Sequence, residues 1–181
     1  MAWTLDYFAY GSNMSYRRIV ARIGWCEVIG VARLVGWRIA FNKRGRDGSS
    51  KCNAQRTGVN RDHLLGVIYR IDIEQRSVLD EIEGAGVGYS AHTARAHHGT
   101  ARADVMLYVA SPDYIDHDAA PFDWYLDFVL HGAREHGLPD EYVAQIAQAP
   151  TQPDPNPERR ARNQQILSMS PQGLFTSTKS Q

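Results

Sequence analysis

The sequence predicts an α/β (α+β) domain: a mixed sheet forming a small β-barrel, flanked by helices. Three observations predict it. Residues from about Trp25 to Ala110 are dominated by short strand-like runs, clear helical periodicity comes late, and strands and helices do not alternate as in a parallel βαβ fold. A chain of 181 residues is long enough to bury one core.

The elements follow in order. Tyr7-Phe8-Ala9-Tyr10 has the aromatic composition of a strand and stops at Gly11-Ser12-Asn13, residue types that favour turns. Tyr16 to Ile23 reads as a helix with Ser15 at its N-cap. A strand, a glycine-containing turn and a helix start aim backbone N–H groups into one concave spot, which suits an anion or a developing oxyanion. An ordinary strand-to-helix connection has the same pattern. Glu27 to Arg33 and Gly36 to Phe41 are β-rich runs, followed by a polar turn from Asn42 to Ser50. The basic, glycine-rich stretch Lys43 to Lys51 is expected to be a solvated hairpin loop, with contact to a substrate's acidic end as the alternative. Leu64 to Ile71 is a strong strand. Ile73 to Ile82 reads as a short helix with Val78, Leu79 and Ile82 on its apolar face and Gly84 as terminator. His92 to His97 and Ala101 to Ala110 flank the turn His98-Gly99-Thr100 as a hairpin.

Phe122, Tyr125, Leu126, Val129, Leu130 and Ala133 form one apolar helical stripe, which Gly137 closes. Pro139-Asp140-Glu141 opens a second helix that runs to about Gln148. Four prolines then fall between Pro150 and Pro157, and Ser, Thr and Gln crowd the end. The expected division is therefore a domain over 1–149 and a flexible or extended tail over 150–181, with a brief helix near Arg160 to Leu167.

Charge and composition bound the function. Lys plus Arg and Asp plus Glu stand at 20 each, so there is no global basic field for nucleic acid. No apolar run approaches the roughly 20 residues of a membrane span, and no signal peptide is expected. Cys26 and Cys52 lack CxxC spacing and read as reduced thiols of a cytoplasmic protein. His92 and His97 point to opposite faces of a regular strand, and no metal site is expected. Gly84, Gly86 and Gly88 follow a helix rather than a strand, which excludes a dinucleotide fingerprint, and Gly-x-Ser-x-Gly is absent.

One carboxylate stands out. Glu83 falls in a helix's last turn, where the macrodipole disfavours a negative charge by a few tenths to about 1 kcal/mol. Burial beside aromatic residues would move it further towards the range of a general base. A solvated glutamate at a frayed helix end fits the segment taken alone. Asp80 and Glu81 are its rivals, and Asp80, next to core Leu79, is expected to face solvent.

The motifs Tyr7-Phe8-Ala9-Tyr10-Gly11-Ser12-Asn13, Leu79-Asp80-x-x-Glu83-Gly84-x-x-x-Gly88-Tyr89 and Gly132 to Pro139 together resemble the γ-glutamylcyclotransferase family. Phe41-Asn42-Lys43-Arg44 and Gly66-Val67-Ile68-Tyr69 add to the resemblance, which runs in order from Tyr7 to about Ile146. It implies a γ-glutamylcyclotransferase-like fold and the cyclisation of a γ-glutamyl amide or peptide to 5-oxoproline and a free amine, with no cofactor and no metal. It further implies Glu83 as general base and acid, and Tyr10, Gly11, Ser12 and Asn13 as the substrate loop. Tyr7 and Ala9 lie on the strand delivering that loop, and Tyr89, Tyr108 and Tyr125 stand at pocket positions. The expected partner is a small-molecule γ-glutamyl substrate, with no nucleic acid and no membrane; a homodimer is allowed. Two other readings share the scaffold: a non-catalytic binding or regulatory module, and removal of a γ-glutamyl protecting group from a biosynthetic intermediate.

Overall fold

The computed structural model describes residues 3–169. Along the chain the first elements are β1 (Thr4–Ala9), α1 (Tyr16–Ile23), β2 (Glu27–Val35), β3 (Trp37–Arg44), β4 (Ser50–Arg56) and β5 (His63–Asp72). They are followed by α2 (Ile73–Glu83), β6 (Tyr89–His98), β7 (Ala101–Ala110), α3 (Asp123–Glu135), α4 (Asp140–Ala147) and α5 (Pro157–Ser168).

Five strands close into a barrel in the order β1-β5-β2-β6-β7, so the expected mixed barrel with flanking helices is observed. Each neighbouring pair is antiparallel except β7 with β1, which meet in parallel at Met106 and Tyr7. Phe8, Leu34, Leu64, Ile68 and Leu107 are fully buried. Each such side chain contributes about 1.5–3 kcal/mol by leaving water. Burial rises along β1 from its exposed start to Tyr7, Phe8 and Ala9, so the strand is anchored most firmly where it hands over to the Gly11 turn.

β3 and β4 form a separate two-stranded hairpin, and β4 was not legible as a strand. Its sequence, Ser-Lys-Cys-Asn-Ala-Gln-Arg, alternates only weakly, with small Cys52 and Ala54 as its apolar positions; pairing with β3 and a bond from the Ala110 amide to Asn53 Oδ1 (3.0 Å) hold it in place.

α2 departs from its expected face. Leu79 is its only buried residue, whereas Val78 and Ile82 are each 41% exposed. The late helix is the reverse case. Trp124 and Phe128 are buried as well as most of the predicted stripe, because α3 is packed against both the 12–14 turn and α5.

Over 150–169 the chain is packed against the domain rather than extended, and the helix expected near Arg160 to Leu167 is present as α5. Gln152 bonds to Ala120 O (2.7 Å), and buried Asp154 accepts from Trp124 Nε1 (2.8 Å) and from Arg159. Asn156 caps α5 through the Arg159 amide (2.9 Å), with Pro157 at the first helical position. The proline spacing is that of a linker, but one buried aspartate and an N-cap turn it into packed structure. The remainder of the expected tail, 170–181, lies outside the described residues. No helix among the described residues is long and apolar enough to cross a membrane.

Candidate active site

The turn after β1 is buttressed from below. Gly132 of α3 packs directly on it: a Cβ at that position would stand 2.3 Å from Ser15 N and 2.4 Å from Met14 C. Tyr69 Oη donates to Met14 O (2.6 Å), and Glu135 Oε2 accepts from the Tyr16 amide (2.9 Å), placing a carboxylate at the start of α1. Ser15 occupies the expected N-cap position but makes no side-chain cap bond, lying instead 3.3 Å from His131 Nδ1. Arg18 Nε donates to Ser12 Oγ (3.1 Å). With the turn fixed in this way, the backbone amides of Gly11, Ser12 and Asn13 have no acceptor among the described residues.

Glu83 reaches this turn from the end of α2, which Gly84 terminates in the left-handed conformation (φ 65°). Its Oε1 accepts from Asn13 Nδ2 (3.0 Å) and Arg22 NH1 (2.9 Å), while Oε2 has no hydrogen-bond partner among the described residues. Asn13 is the hub. Its Nδ2 also donates to Tyr7 Oη (3.0 Å), and its Oδ1 accepts from Arg22 NH1 (2.7 Å). Asn13, expected to bind substrate, thus spends its amide positioning Glu83 and Tyr7. Arg22 is a functional residue that sequence reasoning missed. The signal was the pair Arg18 and Arg22, one turn apart on the helix that follows the loop.

Tyrosines wall the chamber. Tyr10 Oη donates to Tyr108 O, Tyr89 Oη to Cys52 O, and Tyr108 Oη to Asp80 Oδ1 (2.7 Å); Tyr125 Oη accepts from the Cys52 amide (3.0 Å). Asp80 is therefore committed to Tyr108 and Arg76 rather than directed freely into solvent. Burial pushes all these phenols, and Tyr7, above the ordinary tyrosine range, so they act as neutral donors and ring faces. Tyr7 Oη accepts from Asn13, and its own proton has no acceptor among the described residues.

The inner chamber is lined by Tyr7, Tyr10, Gly11, Ser12, Asn13, Cys52, Glu83, Tyr89, Tyr108 and Tyr125. Every expected site residue is there except Ala9, which is wholly buried in the barrel wall. Cys52 is the addition, and burial pushes its thiol up to about 12, leaving it a wall rather than a nucleophile. Tyr125 is both core and lining, 5% exposed on the α3 stripe.

Beyond Glu83 the cleft widens into an outer chamber that includes Arg18, Arg22, Lys43, Arg46, Asp47 and Lys51. The turn expected to be solvated is thus part of the site. Lys43 is buried, and Lys51 pairs with Asp47 (2.9 Å). Burial lowers the pKa of both lysines, opposed by the charge of Glu83 at Lys43 and by Asp47 at Lys51. Among the described residues, no group of three His, Cys, Asp or Glu side chains converges as a metal site would require.

Known proteins are similar to this chain in sequence and in fold. The AIG2-like family model matches residues 63–146. A mouse (Mus musculus) γ-glutamylcyclotransferase is 32% identical over 155 residues, covering 79% of this chain and 77% of the relative. The human (Homo sapiens) γ-glutamylcyclotransferase is 30% identical over 152 residues, covering 77% and 76%. A solved γ-glutamyl cyclotransferase structure superposes with a TM-score of 0.77 at 21% identity, over 90% of this chain and 99% of its own, and so shares the fold. The chain belongs to the γ-glutamylcyclotransferase family.

Proposed function

We propose that the protein cyclises the γ-glutamyl group of a small γ-glutamyl amide or peptide, releasing 5-oxoproline and an amine, with Glu83 as the proton carrier. The α-amine of the substrate attacks its own γ-carbonyl. The reaction is intramolecular, so the protein's main task is to hold the reactive conformer. The tyrosine-walled inner chamber serves that end.

Glu83 Oε2 takes a proton from the α-ammonium, which starts with a pKa near 8 or above. The nitrogen then forms its bond to the γ-carbon, and the carbonyl oxygen becomes an oxyanion facing the Gly11, Ser12 and Asn13 amides and the Tyr7 hydroxyl. As the amide C–N bond breaks, Glu83 returns its proton to the departing nitrogen. The ring nitrogen keeps one hydrogen and loses the other to the amine, which leaves as an ammonium.

The observation that carries this reading is the way Glu83 is held. One oxygen is fixed by Asn13 and Arg22, while the other oxygen and the three amides of the adjoining turn have no partner among the described residues. The test is release of 5-oxoproline from a panel of γ-glutamyl dipeptides and γ-glutamyl amines, comparing the wild type with Glu83→Gln. Glutamine retains an acceptor for Asn13 and Arg22 but cannot carry the proton, and general acid–base catalysis contributes about 10²–10⁴-fold. A fall of at least about a hundredfold is the expected result. Activity that survives the substitution removes Glu83 from this role. An inactive wild type on every substrate favours a non-catalytic binding module.

A further inference from the structure

The cyclisation does not itself require the outer chamber, yet the chain builds it with care. It shares Ser12, Glu83, Tyr89 and Tyr125 with the inner chamber, so the two are parts of one cleft. Arg18, Arg22, Lys43, Arg46 and Lys51 border it, against the carboxylates of Asp47 and Glu83. Arg22 and Lys51 are paired with those two acids. Arg18, buried, is held by neutral oxygens of Ser12 (3.1 Å) and Asn163 (2.9 Å) and stacks over the Phe128 ring at 4.3 Å. Arg46 is exposed and has no carboxylate partner among the described residues.

Lys43 is the decisive residue. It is 7% exposed, and its Nζ lies 4.5 Å from the centre of the Tyr89 ring and 5.8 Å from that of Tyr114. No oxygen among the described residues accepts a hydrogen bond from it. A Cβ at position 88 would stand 2.9 Å from Nζ, so Gly88 leaves the room in which the ammonium sits. The side chain is buried, but its ammonium borders the cleft, where the ring faces stabilise it by about 2 kcal/mol at most and no protein oxygen is in reach among the described residues. An anion arriving in the cleft supplies the missing partner.

The direction of the substrate follows from Glu83, which borders both chambers. The γ-glutamyl unit occupies the inner one, beside the free amides. Glu83 returns the proton to the departing nitrogen, so whatever that nitrogen carries extends past Glu83 into the cations. Resting on the cyclotransferase reading, we infer that the outer chamber is a carboxylate subsite for the leaving group and that the preferred substrates are γ-glutamyl conjugates of an acidic amino acid. The α-carboxylate and the side-chain carboxylate of such a leaving group match Lys43, Arg46 and Arg18, cations with no carboxylate partner among the described residues.

The test compares kcat/KM for γ-glutamyl-glutamate, γ-glutamyl-alanine and γ-glutamyl-propylamine in the wild type, Lys43→Met and Arg46→Gln. In the wild type the three substrates rank in that order, with about tenfold between neighbours, the worth of one charge-assisted hydrogen bond. K43M lowers the ratio of γ-glutamyl-glutamate to γ-glutamyl-propylamine by about tenfold, mostly through KM. Exposed Arg46 can be changed without disturbing the fold, and R46Q lowers the same ratio by a smaller factor. Added salt compresses the ranking. A flat or inverted ranking in an active wild type overturns the subsite alone. A loss in K43M that is equal for all three substrates also overturns it and assigns Lys43 to the γ-glutamyl unit. No 5-oxoproline from any of the three overturns the cyclotransferase reading, and this inference with it.

Discussion

The inner and outer chambers of the cleft are made of different material. The inner one lies at the end of a closed barrel, and the contacts that fix it are buried: Tyr69 to Met14, Asn13 to Tyr7, Tyr10 to Tyr108. The outer one takes Lys43, Gly45, Arg46, Asp47 and Lys51 from the β3–β4 hairpin, which lies outside the barrel ladder and also lends Cys52 to the inner wall. A two-stranded hairpin is marginal alone. This one is pinned by the Ser50 amide on Ala120 O (3.0 Å), the Asp116 amide on Asn42 O (2.7 Å) and the Ala110 amide on Asn53. The contrast suggests a division of labour in which a rigid frame sets the chemistry and a lightly tethered arm sets which leaving group is accepted. Changes to the frame should then act on kcat, and changes to the arm on KM.

The harshest way to break the frame is from below. In Gly132→Ala the new methyl meets the backbone of Met14 and Ser15, which cannot rotate away as a side chain tip would. The loop or α3 must shift, at a cost of about 1–3 kcal/mol in stability. A displacement of about 1 Å at a reacting centre costs about a hundredfold in rate. Urea unfolding and kcat measured together are expected to show both losses. Wild-type kcat in a folded G132A protein would refute the rigid-frame half of the comparison.

Asn13→Ala is a milder break. It leaves the ion pair between Arg22 and Glu83 but removes the hydrogen bonds that Asn13 makes to Glu83, Tyr7 and Arg22. Hydrogen bonds to charged groups are worth about 1.5–3 kcal/mol, so kcat should fall by about ten- to a hundredfold. On the proposed mechanism KM should change little, with Asn13 positioning the proton carrier rather than the substrate. A rise in KM with kcat intact would instead make Asn13 a direct substrate contact.

What the sequence revealed follows the same line. β1, α1, β5 and the α3 stripe were legible because periodicity and turn residues are local signals, and the frame is assembled from them. The arm was not. Nothing in the spacing of Arg22 and Glu83, or of Lys43 and Tyr89, announces that they meet, and β4 has only the small Cys52 and Ala54 as apolar positions. Local pattern also misled at α2: Val78 and Ile82 keep helical spacing with Leu79, but spacing does not say whether another element covers them. Asp80 beside core Leu79 was read outward, yet the chain returns at β7 to bring Tyr108 within 2.7 Å. Such contacts are tertiary and have no signature along the chain.

The gentlest test reaches the outer chamber from its far support. Asp154 accepts from Trp124 and makes a two-pronged pair with Arg159, anchoring the start of α5. From α5, Asn163 holds Arg18, whose guanidinium also lies 5.6 Å from the Trp124 ring centre. The hydrogen bonds from Arg159 keep the Asp154 carboxyl well below the usual carboxylate range. A depressed folded-state pKa gives stability that is complete above the unfolded value, about 3.9, and is lost as pH falls through the folded one. Asp154→Asn should therefore lower Tm by about 3–10 °C near neutral pH, and the gap should narrow below about pH 4. With Arg18 held less firmly, KM for γ-glutamyl-glutamate should rise by about two- to threefold while kcat stays at the wild-type value. A Tm gap that is constant across this pH range would deny the ion pair its role. A fall in kcat with KM unchanged would place α5 with the frame rather than with the arm.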